Sequence, residues 1–140
     1  MHQFLLFYVV WHWMAALVPS APWVDTYPQT ARAIVDACDN DMRCAAVLTA
    51  IAYHESRFKA DAVGDHGQSL GLFQVSKHWN PGDTPEEQAR VAAQLVRRSF
   101  AVCRGKPLEE RLGWYASGGL SCGRPESSRI RMGLAARLMH

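Results

Sequence analysis

Residues 42–58 constrain the fold more than any other stretch of this chain. Val47, Leu48, Ile51 and Ala52 recur at three- and four-residue intervals, so the segment reads as a helix with one continuous apolar face that must be buried. Glu55 lies four residues after Ile51 and seven after Leu48, on that same face and near the C-terminal end of the helix. A carboxyl in that place leaves the core side of the helix. Desolvation and the helix dipole both favour its neutral form. The competing reading is a Glu at the helix edge, paired with Arg57 or with solvent.

Helical periodicity governs most of the remaining sequence. From Gln29, apolar side chains fall at Ala31, Ile34, Val35 and Cys38, and Asp39-Asn40-Asp41 reads as a turn with an N-cap. Thr84-Pro85-Glu86-Glu87 supplies a hydroxyl at the N-cap, proline at the first helical position and a carboxylate three residues on, which is a capping box. That helix runs to about Cys103, with Ala92, Leu95, Val96 and Ser99 on one side. A further helix is expected from near Pro107 to Gly118-Gly119, presenting Leu108, Leu112 and Tyr115. The last is expected over 126–139, with Ile130, Leu134 and Leu138 aligned. Only 71–75 carries a strand signal, and it is short. There are no repeats. The expected class is mostly α: one domain over 29–140, about five helices, and at most one very short β segment.

The first residues stand apart. Phe4 to Val18 is apolar except for His12, and Pro19-Ser20-Ala21-Pro22 follows. About 15 apolar residues suit a signal-peptide core better than a membrane span, although no Lys or Arg precedes them. Residues 1–20 therefore read as a signal peptide cut after Ser20, or as an uncleaved signal anchor that would be the only link to a membrane. A buried N-terminal helix is the third reading, and 21–28 reads as a linker. Four cysteines allow three pairings. Cys38–Cys44 with Cys103–Cys122 is preferred, because each bond would staple neighbouring elements. No Cys-x-x-Cys occurs, which leaves a zinc or thioredoxin-type reading without support. Disulfides imply export to the periplasm or the cell exterior. Four buried free thiols in a cytosolic protein is the competing reading. A formal charge of +2 is too small to argue for nucleic acid as a partner, and it is compatible with work near an anionic envelope.

Three stretches in order, Glu55-Ser56-Arg57-Phe58, Gly71-Leu72-Phe73-Gln74 and Trp114-Tyr115-Ala116-Ser117-Gly118, resemble the motifs of the soluble lytic transglycosylase family, which is related to goose-type lysozymes. The resemblance covers about Ala33 to Ser121. It departs at Ala116, where the family usually has Asn. It implies a lysozyme-like domain that cuts peptidoglycan glycan strands as a monomer, without metal or cofactor. Glu55 would be the general acid and base. An acid still protonated near neutral pH suits that work, because the leaving oxygen of a glycosidic bond must be protonated. Ser56, Gln74, Tyr115 and Gly118 would meet the substrate. Gln74 would bond an acetamido or hydroxyl group, and Tyr115 would orient Glu55.

Other readings stand beside this one. A hydrolytic muramidase would use Glu55 with a second carboxylate, for which Asp61 and Asp65 are the candidates. A non-catalytic wall-binding module would keep the fold alone. A partner of a cell-envelope secretion machine and a phage lysis enzyme both fit an exported chain of this size. His54-Glu55 does not complete His-Glu-x-x-His, because position 58 is Phe. His66 and His78 read as loop residues. Trp79 and Trp114 read equally as sugar-stacking platforms or as core. Arg97, Arg98, Arg129, Arg131 and Arg137 read as solvated helix faces that could also meet wall polymers.

Overall fold

The computed structural model describes residues 2–140, with side chains from Leu5 onward. Six α-helices and a small antiparallel sheet make up the described residues. The helices are α1 (His2–Leu17), α2 (Tyr27–Ala37), α3 (Met42–Ser56), α4 (Pro85–Val102), α5 (Gly113–Ala116) and α6 (Pro125–Leu138). The strands are β1 (Val63–Gly64), β2 (Ser69–Leu70) and β3 (Val75–Ser76). The class is mostly α, as expected.

Helix α3 is the central element. Every residue from Ala45 to Ala52 is buried, and α1, α2, α4 and α6 all pack on it. Four of those eight residues are alanine, which lets neighbouring helices approach without leaving gaps. Asp41 caps the start, its side chain accepting from the Cys44 N–H at 2.8 Å. The Cys38–Cys44 disulfide, with Cα atoms 5.5 Å apart, ties that start to the end of α2. At the other end Arg57 and Phe58 take left-handed conformations, with φ of 54° and 67°. That reversal stops the helix at Ser56 and turns Phe58 into the core, edge-on to Tyr27 with ring centroids 5.6 Å apart.

The N-terminal segment forms a helix with one face in the core. Leu6, Val10, Trp13 and Met14 are buried, and α1 packs on α2 and α3. The Tyr27 hydroxyl closes the seam by donating to the Val18 carbonyl at 2.7 Å. No helix among the described residues is long and apolar enough to cross a membrane. The segment expected as a linker contains a short 3-10 turn, Val24–Thr26, and α2 already begins at Tyr27. Pro28 does not prevent this, because the first turn of a helix needs no N–H donor from proline.

Three further boundaries differ from expectation. The sheet has three strands rather than one, with Val63 opposite Leu70 and Ser69 opposite Ser76. Two-residue strands are too short to display the alternation by which strands are read. The helix expected over 107–118 is broken into a 3-10 turn at Leu108–Glu110 and the four-residue α5. Two buried serines explain the break. Ser99 of α4 donates to the Arg111 carbonyl at 2.6 Å and accepts from the Tyr115 N–H at 3.0 Å. Ser128 of α6 donates to the Glu109 carbonyl at 2.8 Å and accepts from the Leu112 N–H at 2.9 Å. These hydroxyls satisfy backbone groups that a continuous helix would have paired within itself. Finally, α6 turns Leu134 inward and packs Leu138 on the core as expected, but not Ile130. Ile130 is 55% exposed, while Ser128, Met132, Leu134 and Ala135 point inward.

The N-cap of α4 falls on Thr84 as read, with the return bond of the capping box made to its hydroxyl rather than to its backbone N–H. Thr84 Oγ1 accepts from the Glu87 N–H at 3.2 Å and bonds the Glu87 carboxylate at 3.0 Å. The second disulfide, Cys103–Cys122, joins the end of α4 to the loop after α5. Both bonds pair as expected, and two disulfides in so small a domain fit an oxidising compartment.

Packing of α1 makes a direct prediction. Met14→Ala in the full chain should lower unfolding stability by about 2–5 kcal/mol, the usual cost of emptying a core methionine site. Denaturant unfolding measures this. An unchanged midpoint would mean that α1 is not part of the cooperative core.

Candidate active site

Glu55 is the penultimate residue of α3, where the buried helix reaches the surface. Its side chain is 27% exposed and opens into a cleft of about 650 Å³. One wall comes from the sheet and the 3-10 turn after it, with Asp65, Gln74 and Trp79. The other comes from α5, the loop after it and α6, with Trp114 and Arg131.

Burial raises the proton affinity of Glu55, as its place at a helix end leads one to expect. Two neighbours modify the effect. The Arg131 guanidinium opposes it by charge and by a hydrogen bond, with Nη2 3.4 Å from Oε1. The Asp65 carboxylate adds to it. The outcome remains an acid held above the ordinary carboxylate range.

Of the two candidate second carboxylates, the cleft holds only Asp65. Its Oδ2 accepts from the Ser69 hydroxyl at 2.7 Å, which fixes the carboxylate beside β2. Asp61 has a side chain that is 86% exposed and sits 3.8 Å from the Lys59 ammonium. It borders a separate groove beside Trp23 and Lys59.

The segment 71–75 is held in place from behind. The Leu72 N–H donates to Gln88 Oε1 at 2.9 Å, and Gln88 Nε2 donates to the Ala60 carbonyl at 3.1 Å. Gly71 has φ of +82°, and a Cβ there would lie 2.6 Å from the Gln88 amide, so the turn admits no side chain. Gln74 follows at φ 47°. Its Nε2 donates to the Ala62 and Gly71 carbonyls at 3.1 and 2.9 Å. The amide expected to meet a sugar thus spends both donor hydrogens on the backbone, while the side chain still lines the cleft.

The other resemblance residues fall as follows. Ser56 lies outside the cleft. Its hydroxyl bonds the Leu72 carbonyl at 2.7 Å and so joins the end of α3 to the 71–75 segment. Tyr115 lines the cleft, but its hydroxyl donates to the Phe73 carbonyl at 3.1 Å. Burial raises the phenol well above its ordinary range, and the Glu55 charge adds to this. The group that touches Glu55 is therefore Arg131, not Tyr115. Gly118, at φ 72°, is on the cleft wall. Trp79 and Trp114 both border the cleft, with ring centroids 5.9 Å apart. Trp114 is buried and fills core, whereas Trp79 is partly exposed. His66 and His78 are exposed and outside the cleft lining. No group of His, Cys, Asp or Glu among the described residues is arranged to hold a metal.

The arginines divide. Arg129 pairs with Glu110 at 3.2 Å, and Arg97 reaches Asp39 at 4.0 Å, both with roughly half their side chains in solvent. Arg98 lies over the Trp114 ring at 5.2 Å. Arg131 is only 16% exposed and belongs to the site. The signal for it was the spacing Ser128, Arg131, Met132, Ala135, one helix face on which only Met132 is strongly apolar.

No family model matches the chain, and no curated protein or solved structure is detectably similar to it.

The bonding of Gln74 predicts a loss without any substrate present. Gln74→Met should lower stability by about 1–3 kcal/mol, since two hydrogen bonds contribute roughly 0.5–1.5 kcal/mol each. Chemical denaturation measures it. A wild-type midpoint would show that the amide does not brace the turn.

Proposed function

We propose that this chain is a peptidoglycan-cleaving lytic transglycosylase that works outside the cytoplasm. The observation that carries the reading is Glu55, a partly buried acid of raised proton affinity at the end of α3, opening into a cleft with amide, aromatic and basic side chains. The ordered motifs described above add to it.

In this reading Glu55 protonates the oxygen between N-acetylmuramic acid and N-acetylglucosamine, and the bond from that oxygen to the muramyl C1 breaks. The carboxylate left behind takes the proton of the muramyl 6-hydroxyl, whose oxygen bonds C1. The product is a 1,6-anhydromuramyl end. No water enters, so one carboxylate suffices.

One observation favours hydrolysis as a second reading. Asp65 faces the same cleft and acts electrostatically on Glu55, as a carboxylate that activates water would. Digestion of peptidoglycan in ¹⁸O-labelled water separates the two. Anhydromuropeptides free of label are the expected product; labelled reducing ends would establish hydrolysis.

Glu55→Gln should fold and lose turnover by about 10²–10⁴-fold, the range general acid catalysis contributes. Wall clearing by that variant at the wild-type rate would leave a binding module as the better account.

A further inference from the structure

We propose that Arg131 is the positioning residue for Glu55, holding one carboxyl oxygen so that the other exchanges the proton with the substrate. The inference rests on the transglycosylase reading and adds a residue that the motifs do not contain.

The geometry is a relay of fixed points. The Ser128 hydroxyl bonds both the Glu109 carbonyl and the Leu112 N–H, which sets the register of α6. Arg131 Nη1 donates to the Ser127 carbonyl at 3.1 Å, one turn back on the same helix. Nη2 then sits 3.4 Å from Glu55 Oε1. A guanidinium is a rigid planar fork, so anchoring one nitrogen aims the other. Oε2 takes no hydrogen bond among the described residues and remains for the reacting atoms. With the side chains 16% and 27% exposed, water screens the pair less than it would at the surface.

The chemistry needs such a partner because Glu55 changes charge twice. It gives a proton to the leaving oxygen, then recovers one from the 6-hydroxyl. Between these steps it is a partly buried carboxylate beside Asp65. Among the described residues, only Arg131 offsets the charge at contact distance. The other charged and titratable groups that act on the pair are Asp65 from the β1–β2 turn and Tyr115 from α5, and Arg131 in turn acts on His54 together with Arg57 and Arg137. Burial holds His54 below its usual range, and Arg131, Arg57 and Arg137 add to this.

The sign of the effect follows. Removing the guanidinium leaves burial and Asp65, which both favour the neutral acid, so Glu55 should lose its proton at higher pH. Protonation of the leaving oxygen fails as Glu55 ionises, so the alkaline limb of the rate profile should move up with it.

The test uses the full chain with ¹³C-labelled carboxyls, so that Glu55 is titrated directly and apart from His54. In Arg131→Gln the Glu55 midpoint and the alkaline limb should both rise. kcat should fall about 10- to 100-fold, the scale of a misplaced catalytic group, with KM little changed. Arg131→Lys keeps the charge without the fork. It should return the midpoint toward wild type while kcat stays low. An unmoved Glu55 midpoint in folded Arg131→Gln overturns the proposal. Wild-type kcat in Arg131→Lys overturns the positioning role, and that measurement stands even if Arg131→Gln fails to fold. If the wild-type protein cuts no peptidoglycan yet the Glu55 midpoint rises in Arg131→Gln, the pairing holds and the transglycosylase reading fails.

Discussion

A helix buried on every side has few ways to carry a polar group, and the rest of this molecule is arranged around that limit. From Ala45 to Ala52 helix α3 meets protein in every direction. Water reaches it only near its ends. Glu55 is at one end, two residues before the chain reverses through Arg57 and Phe58. Its proton affinity therefore follows from its address: close enough to the core to lose solvent, close enough to the surface to reach a cleft.

Much of the irregular backbone beside the site is held by buried polar side chains. Ser99, Ser128 and Gln88 are each buried on a long helix and bond backbone groups of a non-helical segment nearby. Unpaired backbone in a core is costly, so such side chains let short turns lie inside a small domain. The sheet turn and the α5 region form the two walls of the cleft. The same polar contacts thus give the fold its tolerance for loops and the site its shape.

What the sequence made legible was what depends on neighbours in the chain. The N-terminal cap at Thr84, the cap at Asp41, the Cys38–Cys44 pairing and the inward turn of Glu55 are all set within a few residues. Periodicity failed where a distant side chain replaced a local bond. Ser99 and Ser128 break 107–118, and no pattern within that stretch announces them. On α6, Leu134 and Leu138 were placed correctly, but Ile130 was aligned with them because Ser128 and Ala135 carry no strong apolar signal, and Arg131 was read as solvated. Gln74 lines the cleft and Ser56 does not, and the polar atoms of both bond backbone. A motif names residues without telling which of their atoms are already occupied.

Gly119 fixes how the cleft can behave. A Cβ at that position would lie 3.0 Å from the Trp79 ring and 3.2 Å from the Trp114 ring, one ring from each wall. The walls meet there through two tilted aromatic rings, with the Arg98 guanidinium 5.9 and 5.2 Å from their centroids. Spreading the cleft would pull these rings apart and wet them, which opposes any jaw-like motion. A side chain at position 119 would have to displace one of these rings, so the contact between the two walls depends on the absence of a single methyl group.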